Sequence, residues 1–195
     1  MKRLHCRSAC LVISALLICG CKSSNKAPPA KPAEQKLDPK QLQTRNNAAA
    51  LLFDLLNDEK NVSKLFILKG GRDELKQLVR NIAKAAGEGA DKLKAMAKTD
   101  PTLDLELMAL PKGEVKTREA IARTSKDELL HMSGPELETN LLLSQANALR
   151  YGAHLARVAA ENSTRKDQVD EFSVMSGTFE NLYKQVVAMI GSPAK

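Results

Sequence analysis

The sequence predicts an all-α protein: an antiparallel bundle of four main helices with short extra helices. Three observations predict it. Apolar residues recur at three- and four-residue spacing over long windows, which is the period of one helix face. Helix start signals open those windows, at Asp38-Pro39 and at Ser133-Gly134-Pro135-Glu136. Only Asn162–Thr164 separates the last two windows, so the two helices must be antiparallel neighbours.

The first helix is predicted from about Lys40 to Asn57, with Leu42, Ala49, Leu52, Phe53 and Leu56 at helical spacing. Val62–Leu68 (VSKLFIL) is a short apolar piece, helical or strand-like, closed by Gly70-Gly71. The second helix runs from about Asp73 to Lys98. Its face is Leu75, Leu78, Val79, Ile82, Ala86, Leu93 and Met96. Gly87 and Gly89 each weaken its middle by about 1 kcal/mol and mark a kink or a close helix crossing. Thr99–Pro111 changes period: Leu103, Leu105 and Leu107 alternate with Asp104 and Glu106. No second strand is evident to pair with it, so an extended segment crossing the bundle is expected rather than a sheet.

A third helix is predicted from Glu114 to Arg123. The capping box Ser125-x-x-Glu128 then restarts a short helix over Lys126–Met132. Ser133 caps the longest helix, Pro135–Glu161, with Glu136 completing a second capping box. Its seam is read as Leu137, Leu141, Ser144, Ala148, Tyr151, Leu155 and Val158. The last helix, Arg165–Ile190, carries Val169, Phe172, Ser176, Phe179, Tyr183, Val186 and Ile190. Both stripes keep the alternating spacing of helices packed at about 20°.

The chain divides before this domain. Lys2, Arg3 and Arg7 precede the apolar or small run Leu11–Gly20 (LVISALLICG). A basic start, a short apolar run and a small residue before the cut describe a secretion signal. The run is too short to span a bilayer, which takes about 20 apolar residues. Ile18-Cys19-Gly20-Cys21 resembles the lipobox of bacterial lipoproteins. The resemblance implies diacylglyceryl transfer to the Cys21 thiol, cleavage after Gly20 and a third acyl chain on the new amino terminus. Each buried CH₂ contributes about 0.8 kcal/mol, and two or more chains hold stably. The next residue is Lys22 rather than Asp. In the sorting pattern of Gram-negative lipoproteins an Asp there retains the protein at the inner membrane, so the resemblance favours the outer membrane. The expected domains are therefore 1–20 signal peptide, 21–39 tether and 40–195 helical bundle. The stretch 22–40 holds four of the eight prolines, with Ser, Ala and Lys. It favours extended polyproline-like conformations, reaching on the order of 55 Å at about 3.1 Å per residue.

Composition excludes several functions. All four cysteines (Cys6, Cys10, Cys19, Cys21) lie in the first 21 residues. After processing only Cys21 remains, so the bundle has no disulfide, thiolate metal site or cysteine nucleophile and is held by its core. The net charge is +7, but residues 41–195 carry 22 basic against 21 acidic side chains. The domain is nearly neutral, and aromatic residues are 3% of the chain. That argues against nucleic acid as a partner. The basic residues gather in the tether, where each Lys beside anionic lipid contributes about 1 kcal/mol.

The mature chain has two histidines, His131 and His154. Glu128-Leu129-Leu130-His131 puts a carboxylate and an imidazole on one helix face. Ferritin-like di-iron bundles use two such pairs plus two further glutamates. To these the domain bears a loose resemblance. It implies a metal or redox site on Glu128, His131 and His154. The second pair is incomplete, because Tyr151 stands where Tyr151-Gly152-Ala153-His154 needs a glutamate. No metal is favoured: His131 finishing a helix end, with Glu128 as capping-box acid, is the plainer reading. Asn140, Asn147, His154 and Glu161 fall seven apart, with Arg150 and Arg157 alongside. A solvated face explains that line, and a ligand-facing wall is its alternative. Gly70-Gly71-Arg72 ahead of a helix suggests an anion at an amino terminus, or a turn. There is no G-x-x-x-x-G-K-[ST], H-E-x-x-H or G-x-S-x-G motif. The function expected is that of a membrane-anchored envelope lipoprotein whose helical domain acts by contact with an envelope protein, without catalysis. The lipid on Cys21 is its one covalent group. The alternatives are the metal or redox bundle and a structural lipoprotein joined to peptidoglycan through Lys195.

Overall fold

The computed structural model of the chain describes residues 38–61, 71–106 and 110–192. The lipobox with Cys21, most of the tether, Val62–Leu68, Leu107 and Lys195 lie outside these residues. Five helices account for most of what is described: α1 (Pro39–Glu59), α2 (Asp73–Thr99), α3 (Lys112–His131), α4 (Gly134–Glu161) and α5 (Lys166–Ile190). Among the described residues there is no strand. None of these helices is long and apolar enough to cross a membrane.

Four of the helices form an all-α antiparallel bundle. α1 packs on α2 and α4, and α5 packs on α2 and α4. Polar contacts fix the directions. Arg45 near the start of α1 meets Asp100 at the end of α2 and Gln168 at the start of α5. Glu59 at the end of α1 meets Gln145 in the first half of α4, and the short link joins the end of α4 to the start of α5. Every neighbouring pair in the ring is therefore antiparallel. Both diagonals, α1 with α5 and α2 with α4, are parallel, and α3 runs on the outside against α4. At Gly134, with φ 57°, the chain leaves α3 and turns into α4, a left-handed geometry that glycine adopts without a Cβ clash.

The core is continuous across α1, α2, α4 and α5, and the seven residues expected on the face of α2 are all buried. Leu103 is buried in the stretch that follows α2, while Asp104 and Glu106 face solvent. The stretch forms no strand, and it opens on a turn in which the Leu103 amide donates to the Asp100 carbonyl at 3.0 Å.

Three expectations are corrected. α3 is one helix through Ser125, so the capping box at Ser125 and Glu128 does not restart it. Intrahelical hydrogen bonding satisfies those amides without a cap. Ser133 caps α4 by position, but its side chain makes no capping hydrogen bond. On α4 the predicted Leu137, Leu141 and Leu155 are buried, but between them the buried line runs through Gln145, Leu149 and Gly152, one residue on from the predicted Ser144, Ala148 and Tyr151. Tyr151 is 37% exposed.

Small residues on that seam set the close crossings. A Cβ on Gly152 would lie 3.1 Å from Leu55 Cδ2 and 3.5 Å from Phe179 Cδ2. A Cβ on Gly89 would lie 3.0 Å from Leu56 Cδ1 and 3.7 Å from Phe179 Cζ, whereas one on Gly87 meets nothing within 4 Å. Gly89 is thus the close crossing, and Gly87 is an open helix position. Gly87→Ala is expected to raise stability by about 1 kcal/mol, the helix-propensity gain. Gly89→Ala is expected to give up that gain, because overpacking a filled core costs about 1–3 kcal/mol. Urea unfolding of the two variants checks the opposite signs.

Candidate functional site

Arg45 occupies a core position of α1, on the stripe with Ala49, Leu52 and Leu56, and is 1% exposed. A buried guanidinium needs an acceptor for each of its five N–H bonds. All five find one. Nη1 donates to Asp100 Oδ2 at 3.2 Å and to Gln168 Oε1 at 3.3 Å. Nη2 donates to the Thr102 carbonyl at 2.7 Å and to Thr102 Oγ1 at 3.0 Å. Nε donates to Asn46 Oδ1 at 3.2 Å. Asp100 is equally saturated, accepting from Gln168 Nε2, the Thr102 amide and Thr102 Oγ1 as well. Burial pushes the Asp100 carboxyl up. The hydrogen bonds from Thr102 and Gln168 and the charge of Arg45 outweigh it and hold the group below its ordinary value. Burial likewise lowers the Arg45 pKa against the pull of Asp100, yet an Arg stays charged. With every donor and acceptor used internally, this cluster is a lock. It ties α1, the end of α2, the turn that follows it and α5 together.

A second polar pair lies where the end of α1 meets the middle of α4. Gln145, 2% exposed, donates from Nε2 to Glu59 Oε2 at 2.8 Å. Its Oε1 is buried and has no hydrogen-bond partner. Glu59 also lines a void of about 10 Å³, roughly one water, with Leu55, Leu56, Ile82, Ala86, Ala148, Leu149, Gly152 and Phe179.

The start of α2 already holds an anion, supplied by the protein. The Arg72 amide donates to Glu138 Oε1 at 3.0 Å, and Arg72 Nε lies 3.2 Å from Glu138 Oε2. The start of α2 therefore receives a carboxylate from α4, which is how a helix amino terminus is satisfied internally.

Glu128, His131 and His154 are all exposed. His131 Nδ1 donates to the Asp127 carbonyl at 2.7 Å, closing the last turn of α3. Among the described residues no three His, Cys, Asp or Glu side chains are grouped to hold a metal ion, so these three are not brought together. Where a di-iron bundle turns carboxylates and imidazoles inward, this one turns Leu52, Gly152 and Phe179. On the polar line of α4, Asn147, His154 and Glu161 are exposed and Asn140 is half-buried. Glu161 and Arg157 border an open groove of about 430 Å³ with Ser173, Ser176, Gly177 and Glu180. Arg157 is paired with Glu180 across it.

α3 stands apart from these. None of its residues is buried, and Ile121 is 61% exposed. Arg118 fastens it to α4, with Nη1 donating to Tyr151 Oη at 2.9 Å and the guanidinium 5.1 Å from the ring centroid. Leu129 and Met132 add partly buried contacts to the core.

No family model, curated protein or solved structure matches the chain. The fold and its polar contacts define the protein as an all-α antiparallel bundle with an outlying helix.

Proposed function

We propose that the bundle is a contact module tethered to a bacterial cell envelope, the outer membrane in a Gram-negative cell, through a lipid on Cys21. It binds an envelope protein through α3 and performs no catalysis. The lipobox-like Ile18–Cys21 and the Pro/Lys-rich stretch after it support the anchor. The observation that carries the contact reading is α3 itself. Twenty residues of helix are retained although none is buried, and the most exposed large apolar side chain among the described residues, Ile121, lies midway along it. A helix this poorly covered gains most of its stability from packing against something else. Its mixed charges around an apolar centre suit a polar-rimmed protein interface.

The test places a photo-crosslinking residue at 121 in the full-length chain in cells, with a control at the exposed Lys84 of α2. One adduct of defined mass from position 121 and none from 84 is expected. Cys21→Ser is expected to release the protein from the membrane fraction and to remove the adduct. Equal labelling from both positions would remove α3 as the contact face. A Cys21→Ser protein still in the membrane fraction would remove the anchor.

A further inference from the structure

We propose that Glu59 and Gln145 form a proton-dependent latch between α1 and α4, closed as a carboxylic acid–amide pair and loosened when Glu59 ionises.

The geometry supplies half of that pair. Gln145 Nε2 already donates to Glu59 Oε2, and Gln145 Oε1 is left buried with no donor. An ionised carboxylate has no hydrogen to give, whereas a carboxylic acid has one. A proton on Glu59 Oε1 would donate to Gln145 Oε1. Two antiparallel hydrogen bonds would then replace one and remove the orphaned acceptor, whose desolvation is otherwise uncompensated.

Glu59 is partly buried, and apart from the Gln145 amide its surroundings offer the ionised form little. Around Glu59, α2 contributes Ile82 and Ala86, α5 contributes Phe179, and α4 contributes Ala148, Leu149 and Gly152 beside Gln145. On α1 itself the neighbouring charge is Asp58, of the same sign. Lys126 and Arg118 of α3 face Asp58, as does Asp54. Lys60 Nζ donates to Asn57 Oδ1 at 2.6 Å. Burial raises the Glu59 carboxyl, the Gln145 hydrogen bond opposes it and the Asp58 charge adds to it. The result is about 7, against an ordinary 4.5.

The sign of the pH effect follows. Between about 4.5 and 7 the folded state binds a proton that the unfolded state has lost, so stability falls as pH rises. The contribution is complete below 4.5 and is lost as pH climbs through 7. From pH 6 to pH 8 the unfolding equilibrium constant is expected to rise about tenfold on this group alone.

Glu59→Gln tests the latch, because a Gln there offers the same acceptor and donor as the protonated acid and cannot ionise. In the detergent-solubilised full chain, urea unfolding should show the tenfold change in the wild type and a flat profile in Glu59→Gln over that range. Above pH 7 the variant should be the more stable of the two. Carbon-13 NMR of the Glu59 carboxyl is a second measurement that needs no variant. Titration near 7 supports the latch, and titration near 4.5 overturns it. An equal pH slope in the two proteins overturns it as well.

Discussion

Arg45→Ala is expected to cost about 3–5 kcal/mol, the range for removing one partner of a buried ion pair. The loss is not that of a single contact. Five hydrogen bonds go, and the Asp100 carboxylate stays buried without its cation. Gln168 Oε1 loses its donor, and the Thr102 carbonyl keeps only Asn46 Nδ2. The damage should be local first. Residues 100–103, held between α1 and α5 by this cluster, are expected to show the greatest gain in amide exchange. A double-mutant cycle with Asp100→Asn separates the terms: Arg45→Ala should cost much less in that background, because no uncompensated charge remains. Acid gives an independent reading. In the wild type the Asp100 carboxyl lies below its ordinary value. The stability it contributes is present above the unfolded value and is lost as pH falls through the folded one. Without Arg45, burial dominates the carboxyl and its folded value rises, so acid unfolding should begin at higher pH. Circular dichroism during urea and acid titration measures both. A loss near 1 kcal/mol with an unmoved acid limb would mean that the lock is dispensable.

Much of the bundle was legible because long helices repeat their core period many times. The face of α2 was read residue by residue, and the short Asn162–Thr164 link set the α4–α5 hairpin. The errors came where chemistry and period disagreed. On α4 the aromatic Tyr151 looked more like a core residue than Gly152 beside it. The stripe drawn through Ser144, Ala148 and Tyr151 was therefore one residue out of phase. The true seam is made of small residues that let helices approach, and one of its members, Gln145, is polar. The same preference for apolar side chains hid Arg45, although it sits one helical repeat before Ala49, Leu52 and Leu56. Period alone would have placed both polar groups in the core. Their partners were a different matter. Asp100, Thr102 and Gln168 lie 55 to 123 residues from Arg45, and no local pattern encodes that meeting. The histidines failed as a guide for the converse reason. Spacing put Glu128 and His131 on one face but could not say whether that face turned inward.

Phe179→Ala is expected to cost about 3–5 kcal/mol, because the ring fills the crossing of α2, α4 and α5 and its loss leaves a cavity. Phe179 is 3% exposed and borders the void that Glu59 lines. Gly89 and Gly152 leave their space to its ring and to Leu55 and Leu56. This ties the ring to the glycines in a way that can be measured. In the wild type, Gly152→Ala must displace Leu55, and overpacking offsets the helix-propensity gain of about 1 kcal/mol. Once the ring is gone, Leu55 can shift into the vacated space and the new methyl fills part of it. Gly152→Ala should therefore be the more favourable change in the Phe179→Ala background, with a coupling of about 1 kcal/mol. Loss of the ring also opens the neighbourhood of Glu59 to water, which weakens the burial that raises its carboxyl. The fall in stability between pH 6 and pH 8 should accordingly be shallower in Phe179→Ala than in the wild type. Additive effects at the two positions would show that the ring does not dictate the glycine. An unchanged pH slope would show that Phe179 does not keep Glu59 dry.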